Sequence, residues 1–185
     1  MSTAQIPMIH EILGMADAQG MPIWLESGWA IDARLVRITR EHDDIDLAVP
    51  QERFADFRQW LKSLGCGPFE DTEYGVLVRV GGTLLDCEPC VQFHGVSELD
   101  GVPLGSRPRE KQGLLSRVEV RCTSWEAILW EYFYYLEEVP RAAWRAKDRV
   151  ASSEKIPFKL SVEHLRIHGM LSGNPTATLC RRRCP

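Results

Sequence analysis

Four acidic residues of this chain fall on two predicted strands, and three of them, Asp44, Asp46 and Asp86, are spaced as ligands for a divalent cation. Asp44 and Asp46 flank Ile45 in an apolar stretch that is typical of a β-strand. Because side chains on a strand point to alternating faces, the two carboxylates lie on one face, about 7 Å apart. Asp86 and Glu88 share a face of a predicted neighbouring strand in the same way. Carboxylate oxygens suit Mg²⁺, whereas zinc prefers nitrogen and sulfur ligands.

A turn at Ser27-Gly28 lies shortly before the first acidic strand. A short apolar strand, residues 22–25, ends there, and a helix over residues 29–35 follows. Backbone amides at a turn with a helix N-terminus behind it can hold phosphate groups. A lone aspartate pair is commonly solvated or capping, but a glycine turn, an Asp-x-Asp strand and a further strand with an aspartate together favour a catalytic site.

The predicted elements that must position these groups form an α+β chain. Their order, from apolar spacing and from Gly and Pro breaks, is helix 6–16, strand 22–25, helix 29–35, strand 44–49, helix 52–64, strands 74–80 and 83–87, strand 118–122, and a helix capped by Ser124 that reaches about residue 138. Residues 93–112 are rich in Gly, Pro and charge, which predicts a long loop with an edge strand. We expect a small mixed β-sheet flanked by helices (1–122), followed by a small helical domain (123–185) with a frayed end.

The composition narrows the class of protein. The chain has 185 residues with 26 acidic and 22 basic side chains, a formal net charge of −4. This balance argues against bulk nucleic-acid binding, which usually needs a basic face, and permits a cationic ligand. No apolar run approaches the roughly 20 residues of a membrane helix, and the start lacks the features of a signal peptide. We expect a cytoplasmic protein, monomeric or weakly dimeric, without nucleic-acid or membrane partners.

The six cysteines are then expected to be thiols. Cys87 and Cys90 have Cys-x-x-Cys spacing, but a second ligand pair at a convincing spacing for zinc is missing. His164 and His168 are four residues apart, which a solvated helix face explains more simply than a metal does. The three arginines at 181–183 favour a solvated tail over a nucleic-acid site.

Several blocks of the sequence resemble the aminoglycoside 2''-O-nucleotidyltransferases, a group within the DNA polymerase β-like nucleotidyltransferase superfamily. They fall within roughly residues 5 to 148 and are Gly-Trp-Ala-Ile-Asp-Ala-Arg (28–34), Thr39-Arg40, His42-Asp43-Asp44-Ile45-Asp46-Leu47, Tyr74-Gly75, Leu84-Leu85-Asp86-Cys87-Glu88-Pro89, Arg121-Cys122, Ser124-Trp125-Glu126-Ala127-Ile128, Tyr132-Phe133-Tyr134-Tyr135 and Glu138-Val139-Pro140. The resemblance implies a nucleotidyltransferase fold and resistance by transfer of AMP from ATP to an aminoglycoside hydroxyl, with two Mg²⁺ ions and release of pyrophosphate.

The resemblance also implies residue roles. Asp44 and Asp46 match the family's metal-binding pair, and Asp86 matches its third carboxylate, a metal ligand, a general base or both. The predicted nucleotide-binding residues are Ser27, Gly28, Arg40, His42 and Lys147. The predicted aminoglycoside-binding residues are Glu88, Tyr74, Glu131, Tyr134, Tyr135 and Glu138. The last four fall along one side of a helix, for which an amphipathic helix with core tyrosines and solvated glutamates is the alternative.

Three features depart from the family pattern. Ser27 stands where the phosphate-binding turn has its first glycine; a positive φ would strain it there, and its hydroxyl could instead bind a phosphate oxygen. Glu131 stands where a shorter aspartate faces the drug, and the chain after about Asp148 matches poorly. The alternatives are the same reaction on another small hydroxyl substrate such as a lincosamide, a non-catalytic nucleotide-binding regulator, and a polymerase or tRNA-modifying transferase, which the acidic balance disfavours.

Overall fold

The computed structural model describes residues 4–93, 96–98 and 105–129. Its helices are α1 (Ile6–Ala18), α2 (Ser27–Leu35), a short 3-10 helix (Gln51–Arg53) and α3 (Phe54–Ser63), and residues 125–129 are also helical. Its strands are β1 (Trp24–Leu25), β2 (Asp44–Pro50), β3 (Phe69–Asp71), β4 (Val76–Val80), β5 (Thr83–Phe93), β6 (Val96–Glu98), β7 (Gly113–Leu115) and β8 (Val118–Val120). The predicted helical domain, apart from its first residues, lies outside the described residues.

The main sheet has the strand order β1-β2-β5-β4-β3, and β6 pairs with the far end of β5. Strands β2 and β5 run parallel, and the other neighbours in this sheet are antiparallel. A separate hairpin joins β7 and β8. This mixed sheet with helices confirms the predicted fold class.

The predicted elements are largely present, with shifted ends. Helix α2 begins at Ser27 and not at Trp29, because the Ala30 amide donates to the Glu26 carbonyl at 3.2 Å and closes a first helical turn there. Strands β3 and β7 were not predicted, since each has only three residues and no alternating pattern long enough to detect. The edge strand expected in the loop after β5 is β6.

The two faces of the main sheet differ in chemistry. One face of its central strands is apolar and almost completely buried, through Ile45, Leu47, Val49, Val76, Val78, Leu85 and Cys87. The opposite face of β2 and β5 carries the acidic residues. Helices α2 and α3 both contact β2. Because the side chains of a strand alternate, the apolar set that packs the core also determines which residues face the other way.

No helix within the described ranges is long and apolar enough to cross a membrane.

Two glycines provide a test of the strand contacts. A Cβ built on Gly75 would lie 2.1 Å from the Cys87 carbonyl oxygen, whereas one on Gly14, in α1, meets nothing within 4 Å. We expect Gly75→Ala to destabilise the protein by more than about 1 kcal/mol, because β4 and β5 must separate locally. Gly14→Ala should stabilise it by roughly 0.5–1 kcal/mol through helix propensity. Urea denaturation measures both, and a Gly75→Ala protein as stable as wild type would contradict the close approach.

Candidate active site

A row of acidic side chains crosses three strands of the main sheet. Asp46 of β2 is the direct partner of Asp86 of β5 in the parallel register. On the other side, Leu25 pairs with Leu47, and the amide of the next residue, Glu26, donates to the Asp46 carbonyl at 3.0 Å. Residues opposite one another on neighbouring strands point to the same face, about 4.8 Å apart. Glu26, Asp46 and Asp86 therefore lie side by side.

Two further carboxylates extend this row along the strands. Asp44 lies two residues before Asp46, and Glu88 lies two residues after Asp86, so both share their face. We call the five residues Glu26, Asp44, Asp46, Asp86 and Glu88 the carboxylate face. Four of them were predicted from the sequence as site residues, and the structure places these four on one face of the sheet.

Burial and mutual repulsion perturb the titration of the carboxylate face. Burial, followed by the charges of Asp44 and Asp86, raises the pKa of Asp46 to about 8. Burial, and then Asp44, raises the pKa of Asp86. Burial, and then Glu26, raises the pKa of Glu88 to about 7. Several carboxylates cannot all ionise so close together without a compensating cation, which is the electrostatic character of a cation-binding site.

The donor chemistry of the carboxylate face fits Mg²⁺, which is bound through carboxylate oxygens. In the conformation described, however, no three His, Cys, Asp or Glu side chains within the described residues form a group that could hold a metal ion. Asp44, Asp46 and Asp86 share a face without being converged on one point. The metal site made of these three residues therefore stays a prediction.

The Ser27-Gly28 turn forms the start of helix α2, beside the carboxylate face. Ser27 has φ 47°, a left-handed conformation that strains a residue with a Cβ. A Cβ on Gly28 would lie 2.5 Å from the Arg40 guanidinium and 2.6 Å from the His42 ring. The structure thus brings together four of the five predicted nucleotide-binding residues, and only glycine fits beneath the two basic side chains.

A buried aspartate holds His42 in this position. The Asp32 carboxylate is fully buried, and its Oδ2 lies 2.7 Å from His42 Nε2. Its Oδ1 accepts hydrogen bonds from the amide and the hydroxyl of Thr39, at 3.0 and 2.5 Å. The Trp29 ring packs on the imidazole, with centroids 4.3 Å apart. Since a carboxylate with two donors on its other oxygen acts as an acceptor, Nε2 of His42 carries the hydrogen.

The remaining predicted residues are not assembled in the described structure. Tyr74 lies just before β4 and is 70% exposed. The other predicted substrate residues and one nucleotide-binding residue lie outside the described residues; they are Glu131, Tyr134, Tyr135, Glu138 and Lys147. Cys87 and Cys90 are buried free thiols at odd spacing on β5, so they face opposite sides of the sheet. His164 and His168 also lie outside the described residues.

Sequence reasoning missed three charged residues at the site. Asp32 is a carboxylate inside an otherwise apolar helix turn, Trp29-Ala30-Ile31, and that contrast is a signal that could have marked it. Glu26 directly follows a buried strand, but its pairing with β2 cannot be seen without the register. Arg107 lies in the predicted long loop, is fully buried and forms an ion pair with Glu26. Nothing in its local sequence indicates burial.

Comparison with known proteins identifies a family for this chain. The family model described as aminoglycoside-2''-adenylyltransferase matches residues 8–150. A 2''-aminoglycoside nucleotidyltransferase of Klebsiella pneumoniae is 46% identical over 147 residues, which cover 80% of this chain and 83% of the relative. A protein of the same name from Escherichia coli has the same identity and coverage.

Solved structures give the same result. The crystal structure of ANT(2'')-Ia in complex with adenylyl-2''-tobramycin matches with a TM-score of 0.78 at 42% identity, covering 89% of this chain and 94% of that one. The lincosamide adenylyltransferase LnuA, with lincomycin bound, matches with a TM-score of 0.54 at 18% identity, covering 75% of this chain and 88% of that one. The second likeness shows the fold alone.

The crowding of the carboxylate face makes stability depend on pH. Because the pKa of Asp46 rises from 3.8 to about 8 on folding, the folded protein binds more protons between these values. The stability contributed by the protonated Asp46 side chain is complete below about pH 4 and is lost progressively as the pH rises to about 8. In metal-free buffer we expect the free energy of unfolding of Asp46→Asn, measured relative to that of wild type, to increase by on the order of 2 kcal/mol as the pH is raised from 5 to 8.

Urea denaturation at pH 5, 6.5 and 8 measures this difference. Asp56→Asn is the matched control, because Asp56 lies on α3 with a side chain that is 67% exposed. It should follow the wild-type pH dependence throughout. A stability difference between Asp46→Asn and wild type that stays constant with pH would contradict the perturbed carboxylate.

Proposed function

Because the chain belongs to the aminoglycoside-2''-adenylyltransferase family, we propose that it transfers AMP from Mg-ATP to the 2''-hydroxyl of an aminoglycoside and releases pyrophosphate. Its enzyme class, an aminoglycoside nucleotidyltransferase, follows from family membership. The finer statement is supported by one observation above all. The carboxylate face, with Asp46 opposite Asp86, lies beside a glycine turn that is covered by two basic side chains. Carboxylates and groups that can bind phosphate therefore share one site.

In this proposal Asp44 and Asp46 hold the metal, together with Asp86. When bound, Mg²⁺ neutralises charge on the triphosphate and lowers the pKa of the attacking hydroxyl. Two such ions would suit the reaction, and Asp44, Asp46 and Asp86 are the residues that would hold them. The crowding of like charges supports this assignment, since it leaves the carboxylate face in need of a cation.

Side chains and backbone amides of this protein bind the nucleotide and remove the proton from the attacking drug hydroxyl. The amides at Ser27-Gly28, Arg40 and His42 bind the triphosphate, and Asp32 keeps the His42 ring in place. Asp86 accepts the proton of the drug hydroxyl as that oxygen attacks the α-phosphorus. Its raised pKa supports a general base, because a carboxylate with a higher pKa accepts a proton more readily.

The proposed drug contacts are Glu88 and residues of the segment after 129. An aminoglycoside carries several ammonium groups, so its site needs carboxylates and aromatic faces. Glu88 is half-buried on the carboxylate face and is available for an ammonium group. The other members of the proposed set are Tyr74, Glu131, Tyr134, Tyr135 and Glu138, and Lys147 is proposed to reach the triphosphate. The carboxylates of this set also make binding sensitive to salt.

A lincosamide or another small hydroxyl substrate remains the second candidate. The fold likeness to LnuA fits it, but the 46% identity to 2''-aminoglycoside nucleotidyltransferases favours the aminoglycoside. A non-catalytic regulator would need no acidic row, so the intact carboxylate face argues against it. A cytoplasmic location, a monomeric or weakly dimeric state and the absence of nucleic-acid and membrane partners stay predictions.

The decisive experiment uses purified protein, Mg-ATP and a panel of 2-deoxystreptamine aminoglycosides and lincosamides. Mass spectrometry detects addition of AMP to each drug, and a coupled assay detects pyrophosphate. We expect Asp86→Asn to lower turnover about 10²–10⁴-fold through loss of the base. Asp44→Asn should lower it at least as far through loss of the metal, while Asp56→Asn retains wild-type turnover. Near-normal turnover by Asp86→Asn would contradict the role of Asp86 as the base. Transfer of AMP to lincosamides and to none of the aminoglycosides would show that the substrate is a lincosamide.

Replacement of Ser27 separates strain from phosphate binding. Ser27→Gly removes the cost of a left-handed serine, on the order of 1 kcal/mol, and should raise the Tm by about 2–4 °C. We also propose that the Ser27 hydroxyl binds a phosphate oxygen, so the same change should raise KM for ATP.

Ser116→Gly is the matched control. Ser116 has φ 45° in the turn between β7 and β8, so this change should raise the Tm similarly and leave KM for ATP unchanged. An unchanged KM in Ser27→Gly would rule out the phosphate contact, and an unchanged Tm would contradict the strain.

A further inference from the structure

One buried ion pair joins Glu26, a member of the carboxylate face, to Arg107, and neither residue has a part in the proposed chemistry. The Arg107 guanidinium is fully buried and donates to Oε1 of Glu26, which is only 5% exposed. Glu26 precedes the Ser27-Gly28 turn, whereas Arg107 comes from a segment about 80 residues later in the chain. Charged residues are seldom buried this completely unless they are paired. The ion pair therefore links two segments of the chain that are far apart in sequence.

The backbone of Glu26 connects the phosphate turn to the acidic row. Its amide donates to the Asp46 carbonyl at 3.0 Å, which extends the pairing of β1 with β2. Its carbonyl accepts from the Ala30 amide at 3.2 Å and closes the first turn of α2. Any movement of Glu26 therefore shifts both the Ser27-Gly28 turn and the edge of the carboxylate face.

The segment that carries Arg107 is held on both sides. The Trp24 indole donates to the Pro108 carbonyl at 2.7 Å, and the Ser124 amide donates to the Ser106 carbonyl at 2.8 Å. The Ser124 hydroxyl in turn accepts from the Ala127 amide at 3.2 Å and caps the helix that starts there. Hydrogen bonds therefore hold the backbone on both sides of Arg107 in place.

The two charges of the pair act on the carboxylate face with opposite signs. Glu26 places a negative charge directly beside Asp46, because its amide donates to the Asp46 carbonyl and its side chain shares the face of Asp46. Arg107 places a positive charge at the Glu26 carboxylate. Glu26 therefore strengthens the negative potential at the site, and the guanidinium limits it.

We propose that Glu26 and Arg107 are a positioning pair that holds the Ser27-Gly28 turn against β2 at Asp46. The charges of the pair also set how strongly the carboxylate face attracts divalent cations. This proposal rests on the proposed function only for the cation. Arg107 holds Glu26 through the ion pair and is not one of the residues proposed to bind metal, nucleotide or drug. The positioning part concerns the folded protein alone and can be measured without metal or drug.

A double-mutant cycle tests the positioning part in metal-free buffer. Arg107→Met removes the ion-pair partner of the buried Glu26 carboxylate and should lower the Tm by about 10 °C or more, and Glu26→Gln should lower it less. The double variant Glu26→Gln/Arg107→Met should recover most of the loss, because both charges are then gone. Arg107→Lys keeps the charge and should lie between Arg107→Met and wild type.

Binding of Mn²⁺, followed by electron paramagnetic resonance at a temperature where every variant is folded, tests the electrostatic part. Loss of the Arg107 charge should tighten Mn²⁺ binding about three- to tenfold, and loss of the Glu26 charge should weaken it by a similar factor. The double variant should be close to wild type. Asp46→Asn is the reference that shows how much of the Mn²⁺ is bound at the carboxylate face.

The outcomes are distinct. Opposite shifts in the two single variants, with recovery in the double variant, support the proposal. Weaker Mn²⁺ binding in both single variants, or additive losses of Tm, would overturn it, because a merely structural pair disturbs the site in one direction only. If wild type binds no Mn²⁺ that Asp46→Asn loses, the proposed metal site fails and with it the cation part of this proposal, and the Tm cycle alone then decides the positioning part.

Discussion

The parallel pairing of β2 with β5 is the constraint on which the site depends. Its register places Asp46 opposite Asp86, and a shift of one residue would turn Asp86 towards the apolar side of the sheet. That register is enforced by the other face, where Ile45, Leu47 and Leu85 are almost completely buried. Burial of each such side chain contributes about 1.5–3 kcal/mol. The hydrophobic core thus determines which carboxylates meet, although it touches none of them.

The same arrangement opposes folding on its acidic face. Five carboxylates share a half-buried surface, and the pKa of Asp46 rises to about 8 as a result of burial and of its neighbours. A protein tolerates this only where other terms compensate. One is the apolar face of the sheet, another is the buried Arg107 beside Glu26, and we propose a bound cation as the third. This balance explains why a region so unfavourable in isolation coincides with the candidate active site.

Local sequence was enough to predict the parts of the site that depend on alternation along one strand. Asp44 and Asp46, or Asp86 and Glu88, share a face whatever lies beside them. Pairing across strands is a different property, because it depends on register and on which strands become neighbours. The expectation that these pairs meet rested on a predicted neighbouring strand and on the resemblance to a known family, and neither of them revealed Glu26.

The connection between α2 and β2 shows how long-range and local terms combine at this site. Val36 ends α2 in a left-handed conformation, φ 55°, which a β-branched residue rarely adopts, and its amide donates to the Asp32 carbonyl. The Asp32 side chain then binds Thr39 and His42. One residue therefore anchors the connection through both its backbone and its side chain. Since that anchor holds His42 over Gly28, the strain at Val36 follows from a loop bent back onto the start of the helix it has just left.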